Sequence, residues 1–302
     1  MKIIDLSWRL PGPLATYLLA KQGFEVIKYE DKFRRDPFLN WTWDESFLHI
    51  YNSFQSNKIV KLIDFNSPED IKNLHDEIRT ANAVVMSFPD RIEEKLGLNF
   101  NDVKLKFNDV CFIRLGFRKG SKENAHDLNT LVHSNLLKLH ILDRKDDIIA
   151  PPILPVTGMF FSHHIAITVL NVIIKQKLQT EPIQEWCFLQ DSVDNAQQAY
   201  YPKSIQGRNP ATFLHNGRFP CYNIYRTLDN GYVAIAVVEP KFWARFRELT
   251  ELSILNDDDG LCEGARSDEV KKIIFNKINQ KTLEQWELIF KDENCCVDVI
   301  RI

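Results

Sequence analysis

From residue 2 to residue 115 the chain alternates short apolar runs with helical patterns, and this alternation restricts its fold more than any other feature. Residues 2–6, 24–29, 59–64, 83–88 and 110–115 each read as a strand. Residues 12–22 and about 67–80 read as helices between them. Strands separated by helices pair in parallel and take helices on both faces. The expected class is α/β, with a Rossmann-like parallel sheet as the large domain. Pro11-Gly12-Pro13 opens the first helix where a dinucleotide site would carry its glycine fingerprint. No NAD is therefore expected.

The second half changes character. Residues 165–177 form a nearly all-apolar helical run ending in Lys175 and Lys177. A helix apolar all round is buried, so this one is expected in the core or at a subunit interface. Residues from about 180 to 221 read as a linker carrying one helix at 193–200. Beyond it, residues 222–227 and 232–238 form a hairpin around Asp229, Asn230 and Gly231, where Asn-Gly supplies the positive φ of a tight turn. Pro240 suits the first turn of a helix, which places Glu239 at a strand-to-helix junction. Further helices are expected at 241–250 and 268–279, and Thr282 with Gln285 forms a capping box for another. The division is a large domain at 1–185, a linker at 186–221 and a small α+β domain at 222–302.

The charge balance and cysteines exclude several function classes. A net charge of −3 leaves no basic footprint for nucleic acid. The six cysteines contain no CxxC spacing, and the adjacent Cys295 and Cys296 are not a metal spacing, so reduced thiols and no metal are expected. Met1 to Ser7 reads as a strand rather than a signal peptide. The apolar run at 165–174 is broken by Thr168 and Asn171 and is too short to span a bilayer. No membrane association is expected, and a cytoplasmic location is.

Several segments carry a resemblance. IDLSWRLPGPLATYLLAKQGFEVIKYE, QSNKIVKLIDF, ANAVVMSF, EEKLGLNFNDVK, AHDLN at 125–129, the GR pair at 207–208, LxxGRFPCYxxYRTxDxGYVAIAxxEPKFW and TLEQWELIFKDENCCVDVIRI together resemble the family III CoA-transferases. More narrowly, they resemble the α-methylacyl-CoA racemase branch. The resemblance implies CoA or an acyl-CoA as ligand. It also implies an interlocked dimer, formed with a second copy or with a paralogue. Family members continue for some tens of residues past the end of this sequence, in a tail that returns to the large domain.

The same resemblance implies a site. Removing the α-proton of an acyl-CoA needs a base on one face, stabilisation of the enolate oxygen and, for racemisation, an acid opposite. In the racemases a histidine, an aspartate and a glutamate share this work. His126 matches the histidine of the His-Asp pair, and Glu239 matches the glutamate of EPKFW. The aspartate is absent. Thr157 or Gly158 stands in its place, and Met159, Phe160 and Phe161 fall on three family glycines, where bulky side chains are expected to fill the space. In the transferases that aspartate is the nucleophile. His163 and His164 are the candidates to substitute for it. Asp127 is expected to cap or bond backbone, and with Ala125 it is placed among the CoA-contacting residues.

For the CoA nucleotide, the basic candidates are Arg34, Arg35, Lys58 and Arg91. Lys58 keeps charge where the family has arginine. Arg91 is displaced by two positions from the family's usual arginine, and Pro89 occupies that place. Gly116 to Lys122 replaces a glycine-rich family loop with charge, and only 11 glycines occur in 302 residues. Two readings follow: an enzyme using His126 and Glu239 with a replacement for the aspartate, or a non-catalytic CoA-binding or partner subunit.

Overall fold

In the computed structural model, residues 1–40, 45–121, 125–141, 147–179, 183–200, 215 and 217–301 are described. Six strands build the larger sheet: β1 (Lys2–Leu6), β2 (Glu25–Asp31), β3 (Ile59–Ile63), β4 (Ala83–Met86), β5 (Cys111–Gly116) and β6 (Gln184–Phe188). Their order is β3-β2-β1-β4-β5-β6, and every pairing is parallel. Ile3 pairs with Val26 on one side and with Ala83 on the other. The chain runs outward from β1 in one direction, then returns to β4 and continues in the other. The order thus reverses between β1 and β4, where open α/β sheets leave a crevice beyond their carboxyl ends.

Among the described residues, ten helices accompany these strands. They are α1 (Pro11–Lys21), α2 (Pro37–Asn40), α3 (Glu45–Gln55), α4 (Pro68–Arg79), α5 (Asp90–Leu96), α6 (Phe100–Lys106), α7 (Asp127–His133), α8 (Leu136–Ile141), α9 (Val156–Gln179) and α10 (Leu189–Tyr200). One face of the sheet presents Ile4, Leu6, Ile27, Val84 and Phe112 to Leu74 and Ile78 of α4, Leu96 of α5 and Val103 of α6. The other presents Ile3, Val26, Ala83, Val85 and Ile113 to Ala15 and Leu19 of α1 and to Phe161, Ile165 and Val169 of α9. Burial on both faces explains why the central strands read as continuous apolar runs. At the start of α1, a Cβ on Gly12 would lie 2.2 Å from Ser7 Oγ, so only glycine lets this helix begin so close to β1.

Two expectations are corrected here. The 186–221 linker and the boundary at 185 fail, because β6 spans residue 185 and α10 follows it directly. The first compact unit extends over Met1–Lys138 and Asp146–Lys203. Residues 201–214, including the GR pair, lie outside the described residues. The apolar helix is also longer than residues 165–177 and is not buried all round. Phe161, Ile165, Val169 and Val172 enter the core, whereas Ile167, Ile174 and Leu178 face outward. A helix laid on one sheet face buries a single stripe. By length and apolarity α9 is sufficient to cross a membrane, although this stripe packs on the sheet.

The second unit covers Leu139–Lys145 and Ser204–Ile302. Its antiparallel sheet has the order β7 (Tyr222–Arg226), β8 (Tyr232–Ala236) and β9 (Val297–Ile300). Asn230 takes a φ of 63° in the hairpin loop. Helices α11 (Pro240–Leu249), α12 (Gly264–Ile278) and α13 (Leu283–Phe290) contribute Trp243, Phe246, Ile274 and Trp286 to a core with Tyr225, Val233 and Ile235. The Thr282 hydroxyl accepts from Gln285 N while Gln285 Oε1 accepts from Thr282 N, which closes the expected capping box.

Candidate functional site

A cavity of about 760 Å³ opens at the carboxyl ends of β1 and β4. Trp8, Arg9, Leu10 and Pro11 reach it from the turn between β1 and α1, and Ser87 and Pro89 from the turn after β4. Phe38 of α2, Phe47 and Ile50 of α3, and Leu189 of α10 supply apolar surface. Ala125, His126, Asp127, Thr157 and Gly158 form a polar wall, flanked by Ile153 and Pro155. The indole N–H of Trp8 is buried and meets no acceptor among the described residues. A buried donor without a partner is uncommon.

Two helix starts build the polar wall. His126 precedes α7, and its backbone N–H donates to Asn129 Oδ1 at 3.0 Å while its carbonyl accepts from Thr130 N. These bonds hold the His126 backbone and leave its exposed imidazole at the cavity. The next residue, Asp127, turns toward α9. Its Oδ1 accepts from Thr157 N at 2.7 Å, from Gly158 N at 3.0 Å and from the Thr157 hydroxyl. One carboxylate thereby satisfies two open amides at the start of a 24-residue helix, where negative charge is favoured. Thr157 itself is fully buried.

The three bulky residues do not fill the cavity. Val156 already begins α9, so Met159, Phe160 and Phe161 lie along a helix rather than in a loop. Phe161 enters the core, Met159 and Phe160 are partly exposed, and none of the three lines the cavity. Nor does either substitute histidine. His163 Nδ1 bonds the Met159 carbonyl at 2.9 Å on the exposed side of the helix, and His164 is half-buried.

The basic candidates separate sharply. Lys58 is not a surface charge for a nucleotide: its side chain is fully buried, with Nζ 3.0 Å from Asp5 Oδ2 and 2.8 Å from the Pro13 carbonyl. Burial opposes ionisation of Asp5, but Lys28, Lys58 and the hydroxyls of Ser7 and Thr16 outweigh it and hold the carboxyl well below its usual range. Arg35 donates to Glu30 Oε2 at 3.0 Å and to Tyr51 OH at 2.8 Å. Arg34 and Arg91 are exposed. None of the four lines the cavity, whereas Pro89 does.

The model of CoA-transferase family III matches residues 1–301. The chain belongs to CoA-transferase family III. This family III chain is 24% identical to a CaiB/baiF CoA-transferase family protein of Caenorhabditis elegans, over 98% of its own length and 84% of the relative's. It is 22% identical to the alpha-methylacyl-CoA racemase of Mus musculus, over 98% of itself and 76% of that protein. A solved CAIB/BAIF family protein from Brucella suis shares the fold with a TM-score of 0.77 at 15% identity, covering 100% of this chain and 83% of that one. A protein of Mycobacterium tuberculosis gives 0.76 at 18% identity, over 100% and 83%. Family III CoA-transferases act on CoA thioesters.

Within this family III chain, Glu239 belongs to the smaller unit, exposed at the head of α11, where its carbonyl accepts from Phe242 N and Trp243 N. Arg118 and Lys119 of the charged loop line a different cavity of about 650 Å³ with Trp186 and Phe188, and Lys122 lies outside the described residues. Reading the sequence missed Trp8, Arg9, Phe38 and Phe47. The signal for the first two was available, since Pro11-Gly12-Pro13 marks the first strand-to-helix turn of a sheet whose crevice opens there.

Proposed function

We propose that this chain binds an acyl-CoA in the 760 Å³ cavity, with His126 as the acid–base group for the α-carbon, and that its catalysis departs from the family pattern. The observation that carries this reading is the polar wall. It presents an imidazole, while Asp127, the one carboxylate among the described lining residues, is engaged by α9, and Thr157 or Gly158 stands where the resemblance puts the family aspartate. An imidazole can take a proton from carbon and return it. Glu239, matched to the family glutamate, is proposed as an acid–base group of the smaller unit.

Asp127 Oδ1 accepts two amides and a hydroxyl, so its lone pairs are committed to the head of α9 rather than to the cavity. Acyl transfer through an aspartyl anhydride therefore has no nucleophile at Thr157. The same observation favours a second reading, a CoA-binding subunit without turnover. We further propose that the outward Ile167, Ile174 and Leu178 of α9 are covered by a second copy or a paralogue, and that the protein works in the cytoplasm, where its free cysteines stay reduced.

The test is α-proton exchange. Purified protein is incubated in D₂O with a 2-methylacyl-CoA and followed by NMR. Exchange that falls about 10²–10⁴-fold in His126→Ala supports the enzyme. Exchange no faster than that variant, with CoA binding retained in calorimetry, supports the non-catalytic subunit. The acyl-CoA reading is abandoned when neither heat nor thermal shift accompanies CoA addition.

A further inference from the structure

Arg9 stands in the turn between β1 and α1 and lines the cavity with a φ of 63°. A residue with a side chain keeps this left-handed conformation only where its surroundings enforce it. Asp36 enforces it. Its Oδ2 accepts from Arg9 N at 2.9 Å and its Oδ1 from Phe38 N at 3.0 Å, and its side chain is fully buried. One carboxylate thus locks two residues of the cavity wall. It is engaged with backbone amides, and the guanidinium of Arg9 has no ion-pair or hydrogen-bond partner among the described residues. Arg9 is exposed, and no other lysine or arginine among the described residues lines this cavity. The position where the family resemblance expects an arginine is Pro89, which lies in the same lining.

We propose that Arg9 is the anion-recognising residue of this cavity and selects an acyl group that carries a second, terminal carboxylate. The inference rests on the acyl-CoA reading above. A planar guanidinium matches a carboxylate through two parallel bonds, and the apolar Trp8, Phe47 and Ile50 suit the methylenes between that carboxylate and the thioester. The phosphates of CoA are the other source of anionic oxygen. They sit at the far end of the pantetheine arm, many bonds from a thioester held beside His126. A group that shares one cavity with the thioester is better supplied by the acyl chain.

The test is calorimetric binding of glutaryl-CoA, pentanoyl-CoA and glutaryl-pantetheine to the full chain and to its Arg9→Gln and Arg9→Lys variants. The first two ligands have equal chain length and differ in the carboxylate, and the third lacks every phosphate. The proposal expects the wild type to favour glutaryl-CoA over pentanoyl-CoA by about tenfold or more, the size of a charge-assisted bond. Arg9→Gln erases that preference, Arg9→Lys keeps part of it, and glutaryl-pantetheine shows the same sensitivity to Arg9. Equal weakening of both CoA thioesters, with glutaryl-pantetheine unaffected, assigns Arg9 to a phosphate and overturns the proposal. Binding without preference overturns it too and leaves the acyl-CoA reading intact. A wild type that binds none of the three removes both. Unaltered thermal midpoints confirm that the variants fold.

Discussion

Lys58 Nζ lies 3.0 Å from Asp5 Oδ2 with both side chains fully buried. The pair joins segments 53 residues apart. Asp5 also accepts from Ser7 N and Thr16 Oγ1, so one carboxylate fastens β1, the turn that lines the cavity, α1 and the approach to β3.

Breaking that pair is costly because the carboxylate left behind has lost a counter-charge in the interior. Lys58→Met is expected to destabilise the protein by about 3–5 kcal/mol. Urea denaturation measures it. A loss below 1 kcal/mol, normal for a surface lysine, would return Lys58 to the list of nucleotide contacts.

The pair also sets a pH dependence. Burial is the largest influence on Lys58 and pushes it down, Asp5 opposes that, and neighbouring Lys28 adds to it, so its pKa falls from 10.5 to about 8. Burial opposes ionisation of Asp5 as well, but Lys28, Lys58 and the hydroxyls of Ser7 and Thr16 outweigh it, so its pKa is lowered too. Below pH 8, Lys58 is protonated in the folded and unfolded chains alike. Between about pH 8 and 10.5 the unfolded chain binds the extra proton, so this group makes stability rise with pH there. Asp5 contributes stability that is present above its ordinary value of 3.8 and lost as the pH falls below it. Denaturation midpoints from pH 7 to 10 are expected to rise in the wild type relative to Lys58→Met. A flat difference would contradict the assignment.

Asp127 and Thr157 yield a prediction about restoring the family residue. Asp127→Asn should cost about 1–2 kcal/mol through loss of the charged cap on α9. Thr157→Asp sets a second carboxylate against the first in a buried site, where two like charges resist joint ionisation. Its thermal midpoint should fall below the wild type's, and by more at pH 8 than at pH 5. A midpoint that holds at pH 8 means that the two groups do not meet.

The outer stripe of α9 is testable through mass. Ile174 is 58% exposed on a helix whose other face is packed. Light scattering after gel filtration should report a dimer for the wild type and a shift toward monomer for Ile174→Lys. A wild type that is monomeric at every concentration removes the proposed partner surface.

The larger sheet was legible because β1, β2, β4 and β5 are covered on both faces and carry mostly apolar runs. β6 was not, since it is an edge strand whose Glu185 and Trp186 are exposed and so read as linker. The first turns of α9 were hidden by the preceding prolines and by the expectation of a loop at Thr157 and Gly158. In the site, His126 and Thr157 could be placed by motif. The burial of Lys58 could not, because a lysine reads as surface until its partner, Asp5, is brought beside it by parallel pairing. Arg9 was passed over for the same reason: its neighbour Asp36 is 27 positions away.

The bond from Asp127 to the head of α9 pins both ends of the intervening stretch, residues 128–156, to one point. That stretch carries α7 and α8, so residues added at an exposed point just before α9 lengthen only the connection into it. Since doubling such a loop costs only about 0.6 kcal/mol, the exposed turn at Asp147 and Ile148 is a place where extra residues, a tag or a reporter domain should be accommodated without disturbing the polar wall.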